Sequence, residues 1–240
     1  MPPIWIHVGL PVVAILVTFP LWNGFHPKGI MAAAIVIAGI IVSLLAHELG
    51  HAFMARRCGL APVLIRLHAG GGEAISEGEG RTPRQDRLIT LAGPAVNLAI
   101  GLACIAAFAI LAADPPPPLQ SDPASLWSRP PPTVMSPLFR ALEWLGWLNL
   151  IWAAVNLLPA FPLDGGHLLY SVIEERSGSQ RALFWTGTFG MIFAVIAKVV
   201  FIGGLLTGMV IWSPPYLAPN WQALKAARRP RATIVRLRKS

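Results

Sequence analysis

The stretch His47-Glu48-Leu49-Gly50-His51 ends an apolar run, residues 30–46, that contains no charged residue. Residues four apart lie on one face of a helix, so the two imidazoles can bind one metal ion. Glu48 then lies beside the position of a metal-bound water. In a soluble protein this pattern indicates a zinc hydrolase. Inside a membrane span, three ionisable side chains are costly, and they indicate a functional metal site.

The composition is that of a polytopic membrane protein and excludes an ordinary soluble domain. Of the 240 residues, 55% are hydrophobic and 12% are charged. We expect one all-α membrane domain over residues 1–221, with its core at residues 30–177. No internal repeat is visible, and no second sizeable domain fits this length.

The apolar runs predict about six transmembrane helices. We place spans at residues 4–22, 30–56, 88–113 and 138–158, with a short helix at residues 168–175. The last apolar run, residues 183–212, is long for one span and short for two. Lys198 and Gly203-Gly204 could mark a reversal, and counting positive charges inside favours two short spans there.

Two segments between the spans have a different character. Residues 63–67 resemble a strand and precede Gly70-Gly71-Gly72, which predicts a small hairpin or sheet at the membrane surface. Residues 114–137 are rich in proline and predict a stiff extracytoplasmic connector.

The net charge of +8 arises mainly from the C-terminal end. We expect residues 222–240 to form a basic cytoplasmic tail that contacts anionic lipid, with no nucleic acid as partner. The same rule places the His47–His51 end of its span near the cytoplasmic face of a multi-pass protein. A bacterial inner membrane is the expected location.

A catalytic zinc ion needs a third protein ligand besides two histidines, and Asp164 is the leading candidate. It follows Pro159 and Pro162, which interrupt the fourth span, and precedes two glycines. A charged aspartate at that depth is costly unless a metal ion compensates it. The alternative is an interfacial aspartate that caps the helix starting at Gly165. Position alone leaves both readings open.

Three blocks of sequence resemble the site-2 protease family of intramembrane zinc metalloproteases. They are His47-Glu48-Leu49-Gly50-His51, then Ala92-Gly93-Pro94-Ala95-Val96-Asn97, then Asn156-Leu157-Leu158-Pro159-Ala160-Phe161-Pro162-Leu163-Asp164-Gly165-Gly166. The resemblance covers about residues 30–177. It implies that His47, His51 and Asp164 bind one zinc ion per chain. It also implies that Glu48 is the general base that activates the zinc-bound water.

The resemblance further implies where substrate binds. Asn97 corresponds to an asparagine near the family's active site, and an amide can hold a peptide carbonyl. Asn156 is a second candidate of the same kind. The alternative for both is an interhelical hydrogen bond. Gly71 and Gly72 resemble the family's glycine-bearing strand at the membrane edge, which can pair with an extended substrate.

The expected activity is hydrolysis of a peptide bond in or next to a transmembrane segment of another protein, as in regulated intramembrane proteolysis. The chain resembles a minimal member without PDZ or CBS domains, and a regulatory membrane partner or a homo-oligomer is the further prediction for its partners. One rival is a non-proteolytic member of the same fold. The other is a metal transporter, in which the His, Glu and Asp side chains line an ion path.

Overall fold

Helices dominate the computed structural model, which describes residues 2–68, 70–78, 82–112, 136–207 and 217–228. The elements, in chain order, are β1 (Ile4–Ile6), α1 (Gly9–Thr18), a 3-10 helix (Phe19–Phe25), α2 (Pro27–Arg57), β2 (Ala61–His68), β3 (Gly71–Glu77), α3 (Pro83–Ala112), α4 (Pro137–Asn156), α5 (Asp164–Ser177), α6 (Ser179–Thr207) and α7 (Leu217–Ala227). In the described part of the chain, three of these helices are long and apolar enough to cross a membrane: α2, α3 and α6. The protein is therefore an integral membrane protein.

Helix α2 is the central element of the bundle. Pro27 occupies its first turn, and the His26 side chain accepts a hydrogen bond from the Lys28 N–H. Its 31 residues correspond to about 46 Å at 1.5 Å per residue, more than the roughly 30 Å of a bilayer core. Buried Val36 and Ile40 pack with α4 in one apolar cluster. The stretch His47–His51, an HExxH motif, consequently lies at the far end of a long helix that is packed against α4.

The strands form a sheet in the order β1-β2-β3. β2 and β3 are antiparallel, as a hairpin predicts, and β1 runs parallel to β2 on its other side. Ile65 and Leu67 of β2 are fully buried and pack with Ala52 of α2. The sheet is thus fixed against the end of α2 that carries the two histidines.

Four predicted segments match helices of the structure. α2, α3 and α4 are helices at the predicted spans 30–56, 88–113 and 138–158, although α4 is not among the three described helices that are long and apolar enough to cross a membrane. α5 begins four residues before the predicted short helix. The predicted proline-rich connector, residues 114–137, ends where the Ser136 side chain caps α4. Residues 113–135 lie outside the described part, so the proline-rich connector stays a prediction.

The predicted first span, residues 4–22, is wrong. Ile4–Ile6 is a strand, and the apolar helical stretch Gly9–Trp22, which is α1 and the start of the 3-10 helix, is shorter than the roughly 20 residues that a helix needs to cross a bilayer. The change from strand to helix within this apolar run could not be predicted, since isoleucine and tryptophan occur in strands as well as in helices. The count of six transmembrane helices is not confirmed among the described residues.

The reversal predicted at Lys198 and Gly203-Gly204 is also wrong, and residues 208–212 of the same apolar run lie outside the described part. α6 continues without a break through Lys198 and Gly203 to Thr207. Glycine keeps its backbone N–H, and an apolar environment strongly favours hydrogen bonds within the helix, so two glycines alone do not end it. α7 then extends to Ala227 and packs on α6. The first residues of the predicted tail are therefore helical.

Candidate metal centre

His47 and His51 lie one turn apart on α2 and face the same point. Their Nε2 atoms are 3.1 Å apart. The His51 Nδ1 atom lies 2.7 Å from the carbonyl oxygen of Ile89 on α3. A carbonyl can only accept, so Nδ1 carries the proton and Nε2 keeps its lone pair. This hydrogen bond is the kind of outer contact that orients a metal-binding histidine.

Asp164 approaches the same point from α5. Its carboxylate oxygens lie 3.2 Å from His47 Nε2 and 3.4 Å from His51 Nε2. The capping alternative does not match the geometry, because α5 begins at Asp164 itself and its N-cap residue is Leu163. The carboxylate faces the histidines instead.

A tight turn brings Asp164 to the histidines. The Leu163 N–H donates to the Ala160 carbonyl at 2.8 Å, and the Gly166 N–H donates to the Leu163 carbonyl at 3.0 Å. A Cβ on Gly165 would collide with the Leu157 and Leu158 carbonyl oxygens. The glycine is thus needed for the close approach of α5 to the end of α4.

The three side chains fit a zinc ion. In the described residues, His47, His51 and Asp164 are the group whose ligand atoms all lie within 4.8 Å of one another. Two zinc ligands at about 2.05 Å and tetrahedral angles lie about 3.3 Å apart, close to the spacing seen here. Two imidazole nitrogens and one carboxylate oxygen are also a common donor set of catalytic zinc.

Gly93 on α3 lies directly against His47 and His51. A Cβ on Gly93 would lie 2.6 Å from His47 Nε2 and would also collide with His51 Nε2. A carbon atom there would therefore displace the metal-binding nitrogens of both histidines. The sequence places Gly93 in the second of the three blocks without indicating this role. The available signal was a Gly-Pro pair inside an apolar helix.

Glu48 is 2% exposed and lies beside the histidines. It lines the same cavity as His47, His51 and Asp164, whose volume is about 330 Å³. A Cβ on Gly72 of β3 would come within 2.6 Å of Glu48 Cγ and 2.7 Å of its Cδ. The glycine lets the strand lie directly against the carboxylate.

The predicted substrate-binding residues divide into two groups. Gly71, Gly72 and Asn156 line the cavity. Asn97 is not in its lining; it is 2% exposed, one helical turn beyond Gly93, and its Oδ1 has no hydrogen-bond partner among the described residues. The roles of these four residues stay predictions.

Two further histidines lie near the metal ligands. His68 and His167 line the same cavity. Neither belongs to the group of ligand atoms that His47, His51 and Asp164 form among the described residues. Three protein ligands suffice for catalytic zinc, so neither histidine is needed to bind the metal.

Comparison with known proteins agrees with this arrangement. The protein Rip3 of Mycobacterium tuberculosis, named a putative zinc metalloprotease, is 32% identical over 196 residues, which are 81% of this chain and 45% of that protein. Zinc metalloprotease MJ0392 of Methanocaldococcus jannaschii is 28% identical over 186 residues, 74% of this chain and 45% of the relative. The chain thus spans about half the length of these curated relatives.

A solved structure shares the fold. The site-2 protease from Methanocaldococcus jannaschii superposes with a TM-score of 0.56 at 21% identity, covering 95% of this chain and 90% of that one. The model of Peptidase family M50 matches residues 35–197, which include the HExxH stretch and Asp164. The resemblance to site-2 proteases found in the sequence is confirmed, and the chain belongs to Peptidase family M50.

Proposed function

We propose that this protein is an intramembrane zinc endopeptidase, which hydrolyses a peptide bond in or next to a transmembrane segment of a substrate protein. The observation that carries the proposal is the meeting of His47, His51 and Asp164 beside buried Glu48. Metal ligands and a carboxylate base are the parts that hydrolysis of an amide requires. The relatives named as zinc metalloproteases support zinc as the metal, with one ion per chain.

The proposed chemistry assigns a role to each side chain. When bound, zinc polarises the scissile carbonyl and acidifies water at its open position. Glu48 accepts the proton of the attacking water and returns it to the leaving amine. The Ile89 carbonyl keeps His51 in the required tautomer. Gly72 holds β3 against Glu48 and limits the space in which the carboxylate can move.

Strand β3 is the proposed docking edge for the substrate. A membrane helix must unwind before it is cut, and its freed backbone groups then need partners. In the described sheet β3 pairs with β2 on one side only, and its residues Gly71–Ala74 line the cavity. An extended substrate can add to that edge. Asn156, which also lines the cavity, is the proposed partner for a substrate carbonyl.

The arrangement of basic residues supports an active site near the cytoplasmic face. Arg56 and Arg57 end α2, Arg84 and Arg87 lie in the first turns of α3, and Arg176 lies in the last turn of α5. These positions are at the same end of the bundle as the histidines. By the positive-inside rule this end faces the cytoplasm, in a bacterial inner membrane on our proposal. Membrane-protein substrates and anionic lipid are the proposed partners.

Asn97 has a different proposed role from the other candidates. Its burial and its place one turn beyond Gly93 favour support of α3 behind the ligands over direct contact with substrate. Cleavage kinetics of Asn97→Ala distinguish the two, because loss of a substrate contact raises KM without lowering zinc content.

The decisive experiment compares the purified protein with its Glu48→Gln variant. Both are reconstituted with a labelled transmembrane peptide, and zinc content is measured by elemental analysis. We expect about one zinc per chain in both proteins and cleavage by the wild type alone. Full cleavage by Glu48→Gln would overturn the proposed base. Zinc flux into liposomes without cleavage would instead identify a transporter.

A further inference from the structure

Asn220 of α7 contacts the backbone of the turn that carries Asp164. The Phe161 N–H donates to Asn220 Oδ1 at 2.9 Å, and Asn220 Nδ2 donates to the Phe161 carbonyl at 2.7 Å. One side-chain amide therefore satisfies both backbone groups of one residue. Asn220 is fully buried, and hydrogen bonds of buried groups are costly to lose because water cannot replace them.

Two glycines of α6 make room for this contact. A Cβ on Gly190 would lie 2.5 Å from Asn220 Cγ and 3.3 Å from the Cα of Ala160. A Cβ on Gly187 would lie 3.0 Å from the Asn220 carbonyl oxygen. Small residues at helix interfaces commonly let helices approach closely in a membrane. Here the two glycines leave room for α7 to contact the turn that carries Asp164.

The turn links Phe161 firmly to Asp164, three residues later. Ala160 is fully buried and accepts the Leu163 N–H, and Leu163 in turn accepts the Gly166 N–H. A Cβ on Gly166 would lie 2.8 Å from the Phe161 nitrogen, so the first turn of α5 rests directly on this segment. A shift of the Phe161 backbone must therefore move Asp164 as well.

We propose that Asn220 is a positioning residue for the metal centre, which holds the Asp164 half of the site in register with the histidines on α2. The inference rests on the proposed function, since it takes Asp164 as a zinc ligand. Asn220 lies outside residues 35–197, the part that matches the family. On this proposal α7 supports the metal centre through Asn220, although α7 contributes no metal ligand.

Zinc affinity and hydrogen exchange together test the proposal. Zinc affinity is measured by competition with a chelator for the full chain in detergent, for wild type and Asn220→Ala. Outer contacts of metal ligands are worth roughly 10–100-fold in affinity, and we expect a loss of about tenfold. Peptides covering residues 157–164 should exchange amide hydrogens faster in Asn220→Ala, whereas peptides from α2 around His47 should not change.

The matched control is Asn149→Ala. Asn149 is also fully buried, but it bonds to Ser43 and connects α4 with α2. It should lower the unfolding temperature and leave exchange at residues 157–164 unchanged. Equal losses of zinc affinity in both variants, with exchange unchanged in the turn, would mean that Asn220 contributes only general stability and would overturn the proposal.

A second pair of variants reaches the same contact without altering the amide. Gly190→Ala should displace Asn220 and weaken zinc binding, whereas a Cβ on Gly203, on the same helix, meets no atom of the described residues within 4 Å. Gly203→Ala should therefore bind zinc as the wild type does. If wild type binds no zinc, the proposed function fails. If wild type binds zinc and neither Asn220→Ala nor Gly190→Ala weakens it, only the positioning role fails.

Discussion

The two halves of the metal centre are built in different ways. His47, Glu48 and His51 lie on one long helix, where the separation of four residues fixes the spacing of the imidazoles. Asp164 lies at the start of a 14-residue helix, after a turn whose course depends on contacts with α4, α6 and α7. Local periodicity orients the first half, and tertiary packing orients the second.

This difference predicts which substitutions will displace a metal ligand. A substitution on α2 away from the ligands leaves the histidine spacing intact, because the helix maintains it. A substitution near residues 157–166 changes the position of a ligand even when the ligand itself is unaltered. We therefore expect effects at a distance from the metal to concentrate in the Asp164 half.

Removing a single metal ligand, from either half of the metal centre, should have the largest effect on zinc binding and cleavage. His51→Ala and Asp164→Ala each leave two protein ligands where catalytic zinc normally has three. We expect each to weaken zinc binding by more than about 100-fold, beyond the range for outer contacts, and to abolish cleavage. Chelator competition and peptide cleavage measure both. Wild-type zinc affinity in Asp164→Ala would show that only the α2 half binds the metal.

Gly93→Ala tests the space between the halves. Its Cβ would lie 2.6 Å from His47 Nε2, so we expect zinc content near zero in a folded protein. The control is Gly101→Ala on the same helix, whose Cβ would meet Leu150 Cγ at 2.8 Å and the Gly146 carbonyl oxygen at 3.0 Å, both on α4 and neither of them a metal ligand. Stoichiometric zinc in Gly93→Ala would contradict the position inferred for the metal.

Gly72→Ala should separate zinc binding from catalysis. The added Cβ would lie 2.6 Å from Glu48 Cγ and should move the carboxylate, not the ligands. We expect the cleavage rate at saturating peptide to fall by about two orders of magnitude, the lower range for loss of general base catalysis, with zinc retained. Ser76→Ala on β3 is the control, since Ser76 is not in the cavity lining. Loss of zinc in Gly72→Ala would mean that β3 supports the ligands themselves.

The smallest expected effect concerns the ion pair that joins α3 and α5 at the surface. Arg87 of α3 and Glu175 of α5 are 2.6 Å apart, with side chains 25% and 50% exposed. Exposed pairs contribute about 0–1 kcal/mol, so Glu175→Gln should lower the free energy of unfolding by less than about 1 kcal/mol. Thermal unfolding in detergent at low and high salt measures this. A large loss of zinc affinity would show that the pair, and not the turn, positions α5.

Much of the bundle could be predicted from the sequence, because long apolar runs bounded by proline, glycine or arginine leave few alternatives in a membrane. α2, α3 and α4 follow this rule. Ile4–Ile6 does not, since its strand forms only where β2 offers an edge. The continuity of α6 could not be predicted from Gly203-Gly204, because the pair is typical of a turn in water but remains helical in an apolar environment.

The sequence by itself determined the helix that carries HExxH, the pairing of His47 with His51 and the candidacy of Asp164, since each follows from spacing or from the cost of charge in lipid. Only the tertiary structure decided that Gly93 leaves room for the metal, that Gly72 brings β3 against Glu48, and that Asn220 holds Phe161. These contacts join residues far apart in the chain. Their physical basis is close packing and buried hydrogen bonding, and neither leaves a local pattern.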